Sequence, residues 1–168
     1  MSVNIIETFD SPFPKKDVIT ILDDMMSPGW QFGHGSNRGK LVFPFWIKKL
    51  NDNPFYADYL LNIIKEKTQQ DYELSDVYAN GHTFGTMGDF HVDWYDSSGR
   101  TFLYYPNTSW KPEWGGKTIF KMKDGEYYHP YNPDSAILFP GEIPHMAEGV
   151  SRLFVGLRVT IAWKLILK

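Results

Sequence analysis

The chain contains no cysteine. That excludes a disulfide framework, a zinc–thiolate site and an iron–sulfur cluster. Any bound metal must take its ligands from His, Asp, Glu, backbone or water. A basic surplus is also missing: 17 Lys and Arg stand against 20 Asp and Glu, for a net charge of −3. Such a balance leaves no electrostatic footprint for nucleic acid or an anionic membrane. No apolar run approaches the roughly 18 residues of a transmembrane span, and Met1 to Asp10 lacks the basic start and apolar stretch of a signal peptide. There is no internal repeat and no low-complexity tract. The expectation is a soluble, cytoplasmic protein without a membrane partner.

What is present is aromatic weight. Phe, Tyr and Trp make up 17% of 168 residues, enough chain for one domain with a sizeable core and a composition that favours broad β packing faces. The first 70 residues or so read as a helical part. Pro14 to Met26 places Val18, Ile19, Ile21, Leu22, Met25 and Met26 at helical spacing before Ser27-Pro28-Gly29. Asn53 to about Lys67 reads as a second helix, with Asn53 as N-cap and Pro54 at the first position. The Gly-rich stretch from Gly33 to Gly39 reads as a loop.

From about residue 71 onward the signals are strand and turn. Leu74–Tyr78, Thr101–Tyr105, Lys117–Met122, Glu126–Tyr128, Ala136–Phe139 and Leu153–Leu165 are short apolar or alternating runs separated by Gly, Pro, Asn and Asp. Lys123-Asp124-Gly125-Glu126 is a hairpin turn. Strands without intervening helices pair antiparallel, and closure into two facing sheets manages their edges. The expected fold is mainly β: one domain, residues 1–168, with a cupin-like jelly roll (a double-stranded β-helix) and the N-terminal helices packed outside it.

The chemistry lies in His91-Val92-Asp93 and in His145, 54 positions beyond His91. On a strand, side chains at i and i+2 share a face, and a neighbouring strand can supply a third ligand. Two imidazoles and one carboxylate on one side of a metal, with open positions opposite, form the facial triad of non-haem Fe(II) oxygenases. A 2-oxo acid chelating such a metal carries a distal carboxylate, which calls for a guanidinium or ammonium and a hydroxyl. Arg152 and Arg158 are both candidates on the last strand run, expected on the same face. Tyr104 is the candidate hydroxyl. His34 and His82 read as loop polar residues, and His129 as a strand end.

These residues together resemble the Fe(II)- and 2-oxoglutarate-dependent dioxygenases, in particular the prolyl 4-hydroxylase-like branch. The likeness is carried by His91-Val92-Asp93-Trp94-Tyr95-Asp96-Ser97-Ser98-Gly99-Arg100, by Leu103-Tyr104-Tyr105-Pro106-Asn107, by Trp114-Gly115-Gly116, by Pro144-His145, and by Arg158-Val159-Thr160-Ile161-Ala162-Trp163. It covers about Tyr78 to Lys164 and is similar to the hypoxia-sensing prolyl hydroxylases and to small phage-encoded oxygenases, which would act in the host cytoplasm. The resemblance implies that His91, Asp93 and His145 hold Fe(II). It implies that Arg158 binds the 2-oxoglutarate C5 carboxylate with help from Tyr104, and that O2 is consumed, with ascorbate as an accessory reductant. The family's anchoring base falls at a spacing from the distal His between those of Arg152 and Arg158. Arg158 is preferred for the strand that follows it, and Arg152 is the reserve. Tyr78 is a further candidate for the pocket wall. The implied reaction hydroxylates a C–H bond of a peptide or small molecule, releasing succinate and CO2. Gly33–Lys40 and Trp94–Arg100 are candidate substrate-covering loops. Two other readings stand beside it: a metal-binding cupin-type isomerase or ligand-binding module without oxygen chemistry, and a structural β-domain whose triad is accidental.

Overall fold

A computed structural model describes residues 5–36 and 43–168. Asn37, Arg38, Gly39 and Lys40 of the candidate covering loop lie outside the described residues, as do the first four residues of the chain. The element order is β1 (Glu7–Asp10), α1 (Lys15–Met26), β2 (Gln31–His34), β3 (Phe45–Lys49), a π-helical segment (Phe55–Leu60) running into α2 (Leu61–Thr68), β4 (Tyr72–His82), β5 (Gly99–Tyr105), β6 (Thr118–Met122), β7 (Gly125–His129), β8 (Ser135–Pro140), β9 (His145–Ala147) and β10 (Arg158–Leu167).

Two antiparallel sheets face each other. The larger has seven strands in the order β1-β8-β5-β10-β4-β3-β2, and the smaller has three, β7-β6-β9. This is the expected jelly roll with helices outside. The first 70 residues are not only helical, however: they add β1 to one edge of the large sheet and β3 and β2 to the other. These are short strands of four or five residues, at the short end of the roughly 4–8 residues over which alternation is read. The last expected strand also starts later. Residues 151–157 form turns, with the Phe154 N–H donating to the Ser151 carbonyl at 3.1 Å, and β10 begins at Arg158.

The core splits into two layers on either side of the large sheet. One packs Val77, Ala79, Phe102, Tyr104, Ile161 and Trp163 against helical residues such as Ile21, Tyr56, Leu60 and Ile64. The other lies between the sheets and includes Leu103, Tyr105, Phe120, Phe139 and Ala162. The Trp163 indole N–H donates to the Tyr56 carbonyl at 3.0 Å, tying β10 to the π-helical segment. Lys48 closes the C-terminal end of α1, its Nζ donating to Asp24 Oδ1 at 2.8 Å and Ser27 Oγ at 2.7 Å.

One irregularity sets what faces inward on β4. Lys164 pairs with Asp76 while Leu165 pairs with Leu74, so Ser75 is an extra residue. A bulge of one residue reverses which side chains face which side. Tyr72 and Leu74 therefore pack with Val77 and Ala79 under the helices, and Asp76, Tyr78, Asn80 and His82 line the space between the sheets.

Candidate metal centre

His91 and His145 are directly opposed. His91 N–H donates to the His145 carbonyl at 3.1 Å and His145 N–H returns the bond at 2.9 Å. The pairing lies outside the regular strands and stitches the stretch before the Asp93 turn onto β9. Two residues on, the Asp93 and Trp94 amides both donate to the Gly141 carbonyl, at 2.8 and 3.2 Å. Trp94 is pinned in turn. Its ring lies so close to Gly99 and Gly141 that an added Cβ at either would sit 1.9 and 2.2 Å from it. Glycine at the ends of β5 and β8 is thus what lets the turn after Asp93 lie flat on the sheet.

The ligand atoms of His91, Asp93 and His145 lie within 4.8 Å of one another. His91 Nε2 is 3.5 Å from Asp93 Oδ1 and His145 Nε2 is 3.3 Å from Asp93 Oδ2. Each imidazole has its Nδ1 2.8 Å from a backbone carbonyl, of Asp89 and of Ile143 respectively. A carbonyl only accepts, so Nδ1 carries the proton and Nε2 presents a lone pair. Burial outweighs the attraction of Asp93 and lowers the His145 pKa, keeping that ring neutral. Burial also opposes ionisation of Asp93, yet the Lys164 ammonium beside it overcomes that and holds its carboxyl well below the usual range. Three acceptors thus converge with no proton to share among them. Such a donor set fits a divalent cation.

Asp93 is held by more than the triad. Thr101 Oγ1 donates to Oδ2 at 2.5 Å, and Lys164 Nζ donates to the same oxygen. Lys164 was not among the expected site residues. In sequence it sits in an apolar strand end, and only the β10 register aims it inward.

The triad opens into a cavity of about 680 Å³ that also contains Tyr78, Asn80, His82, Arg158 and Lys164. Arg158 is fully buried. Its Nε donates to the Gly116 carbonyl at 2.8 Å, while Nη1 and Nη2 have no partner. Burial pulls its pKa below the ordinary arginine value, but a guanidinium stays charged at neutral pH. A buried, charged fork with idle donors is costly unless an anion completes it. A carboxylate matches the fork's geometry. Gly116 explains the Gly-Gly of the sequence: it has φ +74°, and an added Cβ would lie 3.0 Å from Arg158 Cδ and Nε.

Two of the expected residues lie elsewhere. Arg152 is exposed in the turn before β10, its guanidinium 5.5 Å from the Phe84 ring centre. It does not share a face with Arg158, because no strand joins them. Tyr104 points to the helical side of β5, where its hydroxyl donates to Asp134 Oδ1 at 2.8 Å and burial pushes its pKa up. The inward tyrosine is its neighbour. Tyr105 packs between the sheets, its hydroxyl 2.8 Å from Thr118 Oγ1. Burial raises its pKa to about 12, and Arg158 opposes that rise. The adjacent tyrosines are both fully buried, so hydropathy alone could not assign their faces. His82, read as a loop residue, is the buried end of β4. His34 ends β2 and His129 ends β7. Of the expected covering loops, Trp94–Arg100 is a tight turn with Ser98 N–H on Asp96 Oδ1 at 2.9 Å, and Tyr95 stands almost fully exposed beside the cavity.

No protein-family profile matches the chain, and no curated protein does. Solved structures do. A prolyl hydroxylase from Trichoplax adhaerens, in complex with a hypoxia-inducible-factor peptide fragment, superposes with a TM-score of 0.75 at 14% identity, over 98% of this chain and 84% of that one. A 2OG-Fe(II) oxygenase-family oxidoreductase from Burkholderia pseudomallei gives 0.72 at 8% identity, over 96% and 85%. The chain has the fold of the 2OG-Fe(II) oxygenases. HygX from Streptomyces hygroscopicus, with nickel and 2-oxoglutarate bound, gives 0.69 at 12% identity, over 96% and 82%. At these identities the likeness speaks for the fold, and the site must be argued from its own side chains. Among the described residues, no helix is long and apolar enough to cross a membrane.

Proposed function

We propose that this protein is an Fe(II)- and 2-oxoglutarate-dependent dioxygenase that hydroxylates a C–H bond of a peptide or small molecule. The observation that carries the reading is the idle Arg158 fork in the same cavity as the His91–Asp93–His145 triad. A metal-binding cupin without oxygen chemistry has no need of a buried guanidinium with unpartnered donors facing the metal cavity.

In this reading His91, Asp93 and His145 hold the iron. Arg158 takes the distal carboxylate of 2-oxoglutarate, with Tyr105 beside it in the role expected of Tyr104. Iron and 2-oxoglutarate together supply the oxidative decarboxylation that couples O2 to hydroxylation, with succinate and CO2 as co-products. The chain's own residues fix geometry. The Asp89 and Ile143 carbonyls hold the two imidazoles in one tautomer, Lys164 and Thr101 hold the carboxylate, and Leu103, Phe139 and Ala162 give the cavity apolar walls that exclude water.

A peptidyl proline is the favoured substrate, on the shared fold with a prolyl hydroxylase bound to a peptide and on the exposed Tyr95 beside the cavity. The test is anaerobic titration of the Fe(II)-loaded protein with 2-oxoglutarate. A weak visible charge-transfer band is expected, followed in air by succinate release that rises with a peptide, amino-acid or nucleotide substrate. Stoichiometric metal binding with neither band nor succinate would select the cupin reading. Absence of metal binding would leave only the structural β-domain.

A further inference from the structure

Among the described residues, His82 and His129 are buried histidines with both ring nitrogens unpartnered, and of the two only His82 lines the cavity. Its position is set by register. His82 on β4 is the direct cross-strand partner of Arg158 on β10, and opposed residues of an antiparallel pair hold their side chains on the same face, about 5 Å apart at Cβ. The Phe45 ring backs the imidazole at 4.6 Å and 30°. Burial, and then the charge of Arg158, keep His82 neutral. A neutral imidazole still has one N–H to give. A carboxylate offers about four acceptor positions, and a guanidinium fork fills only two of them.

We propose that His82 donates a hydrogen bond to the same distal carboxylate that Arg158 grips, and so selects a dicarboxylic 2-oxo acid over one that ends in a methyl group. The inference rests on the co-substrate reading above. A structural alternative exists, in which His82 serves only as a flat ring stacked on Phe45, and the test separates the two.

His82→Phe keeps the ring and removes the donor. The Mn(II)-loaded protein is titrated calorimetrically with 2-oxoglutarate and with 2-oxopentanoate, the five-carbon 2-oxo acid lacking the distal carboxylate. His82→Phe is expected to weaken 2-oxoglutarate about ten-fold, as a hydrogen bond to a charged group requires. It should leave 2-oxopentanoate and Mn(II) binding unchanged. His82→Gln, which restores an N–H donor without the ring, should bind 2-oxoglutarate more tightly than His82→Phe does. Equal weakening of both acids, or no change in either, overturns the role given to His82 while leaving the oxygenase reading intact. Failure of the wild type to prefer 2-oxoglutarate over 2-oxopentanoate overturns the co-substrate reading and this inference with it. If His82→Phe does not fold, His82→Leu carries the same comparison.

Discussion

Lys164→Met isolates the charge that the fold places on Asp93. In the metal-free protein Lys164 Nζ donates to Asp93 Oδ2, and the two side chains are 12% and 5% exposed. Methionine keeps most of the stem, so packing changes little while the cation disappears. Removing one partner of a buried ion pair costs about 3–5 kcal/mol. The Thr101 hydroxyl stays on the same oxygen, which argues for the lower end, about 3 kcal/mol. For a chain of this size that is a fall in Tm of about 6–12 °C. A divalent ion should reverse the deficit, because it supplies the charge that Lys164 supplied and no longer meets a neighbouring ammonium. Linkage then requires the variant to bind metal more tightly than the wild type. Full recovery of about 3 kcal/mol corresponds to about 100-fold in affinity. The assay is thermal unfolding with and without Mn(II), paired with Mn(II) calorimetry. A variant that binds Mn(II) more weakly would show that Lys164 acts mainly by orienting the carboxylate. A Tm within about 2 °C of wild type would show that the pair is not the buried interaction described. Either result refutes the reasoning.

The remaining predictions address the pocket and the core. Tyr105→Phe should raise the KM for 2-oxoglutarate several-fold besides costing about 1 kcal/mol of stability through the lost bond to Thr118, whereas Tyr104→Phe should cost about 1 kcal/mol through the lost bond to Asp134 and leave KM alone. Gly116→Ala should displace the Arg158 guanidinium and abolish 2-oxoglutarate binding while metal binding survives, read by the same calorimetry. Stability of the metal-free protein should fall as pH drops below 6.5, the ordinary histidine value, because burial, and then Arg158, hold His82 neutral in the folded state while the unfolded chain takes up a proton. That dependence is at most about 1.4 kcal/mol per pH unit for this residue. Urea unfolding should therefore show a shallower slope between pH 6.5 and 5 in His82→Phe, and an unchanged slope would contradict a neutral buried His82.

How much was legible in the sequence depends on how many faces of a strand are buried. His91, Asp93 and His145 could be read because a polar pair at i and i+2 stands out from its surroundings whatever the fold does around it, and the distal His follows a turn. Arg158 could be read because a charge heading an apolar strand needs a reason. The jelly roll followed from short strand runs without intervening helices and from the need to close their edges. Tyr104 against Tyr105 could not be decided the same way. Helices cover the outer face of β5 and the small sheet covers its inner face, so both tyrosines are fully buried and the alternation that normally reports facing is erased. The same double cover hid His82, the direct cross-strand partner of Arg158, and Lys164, which lies six residues beyond Arg158 on β10 and shares its inward face. Arg152 stays off the strand for a related reason: the apolar residues from Leu153 onward continue the β10 pattern, but the backbone turns there before β10 begins. Where β10 starts therefore determines which cations enter the cavity. Substitutions that slip the β4–β10 register by one residue should consequently remove Lys164, His82 and Arg158 from the site together, even though none of them touches the others' hydrogen-bond partners. The triad should survive such a slip, because His91, Asp93 and His145 are tied to one another and to Gly141 through backbone bonds outside that strand pair.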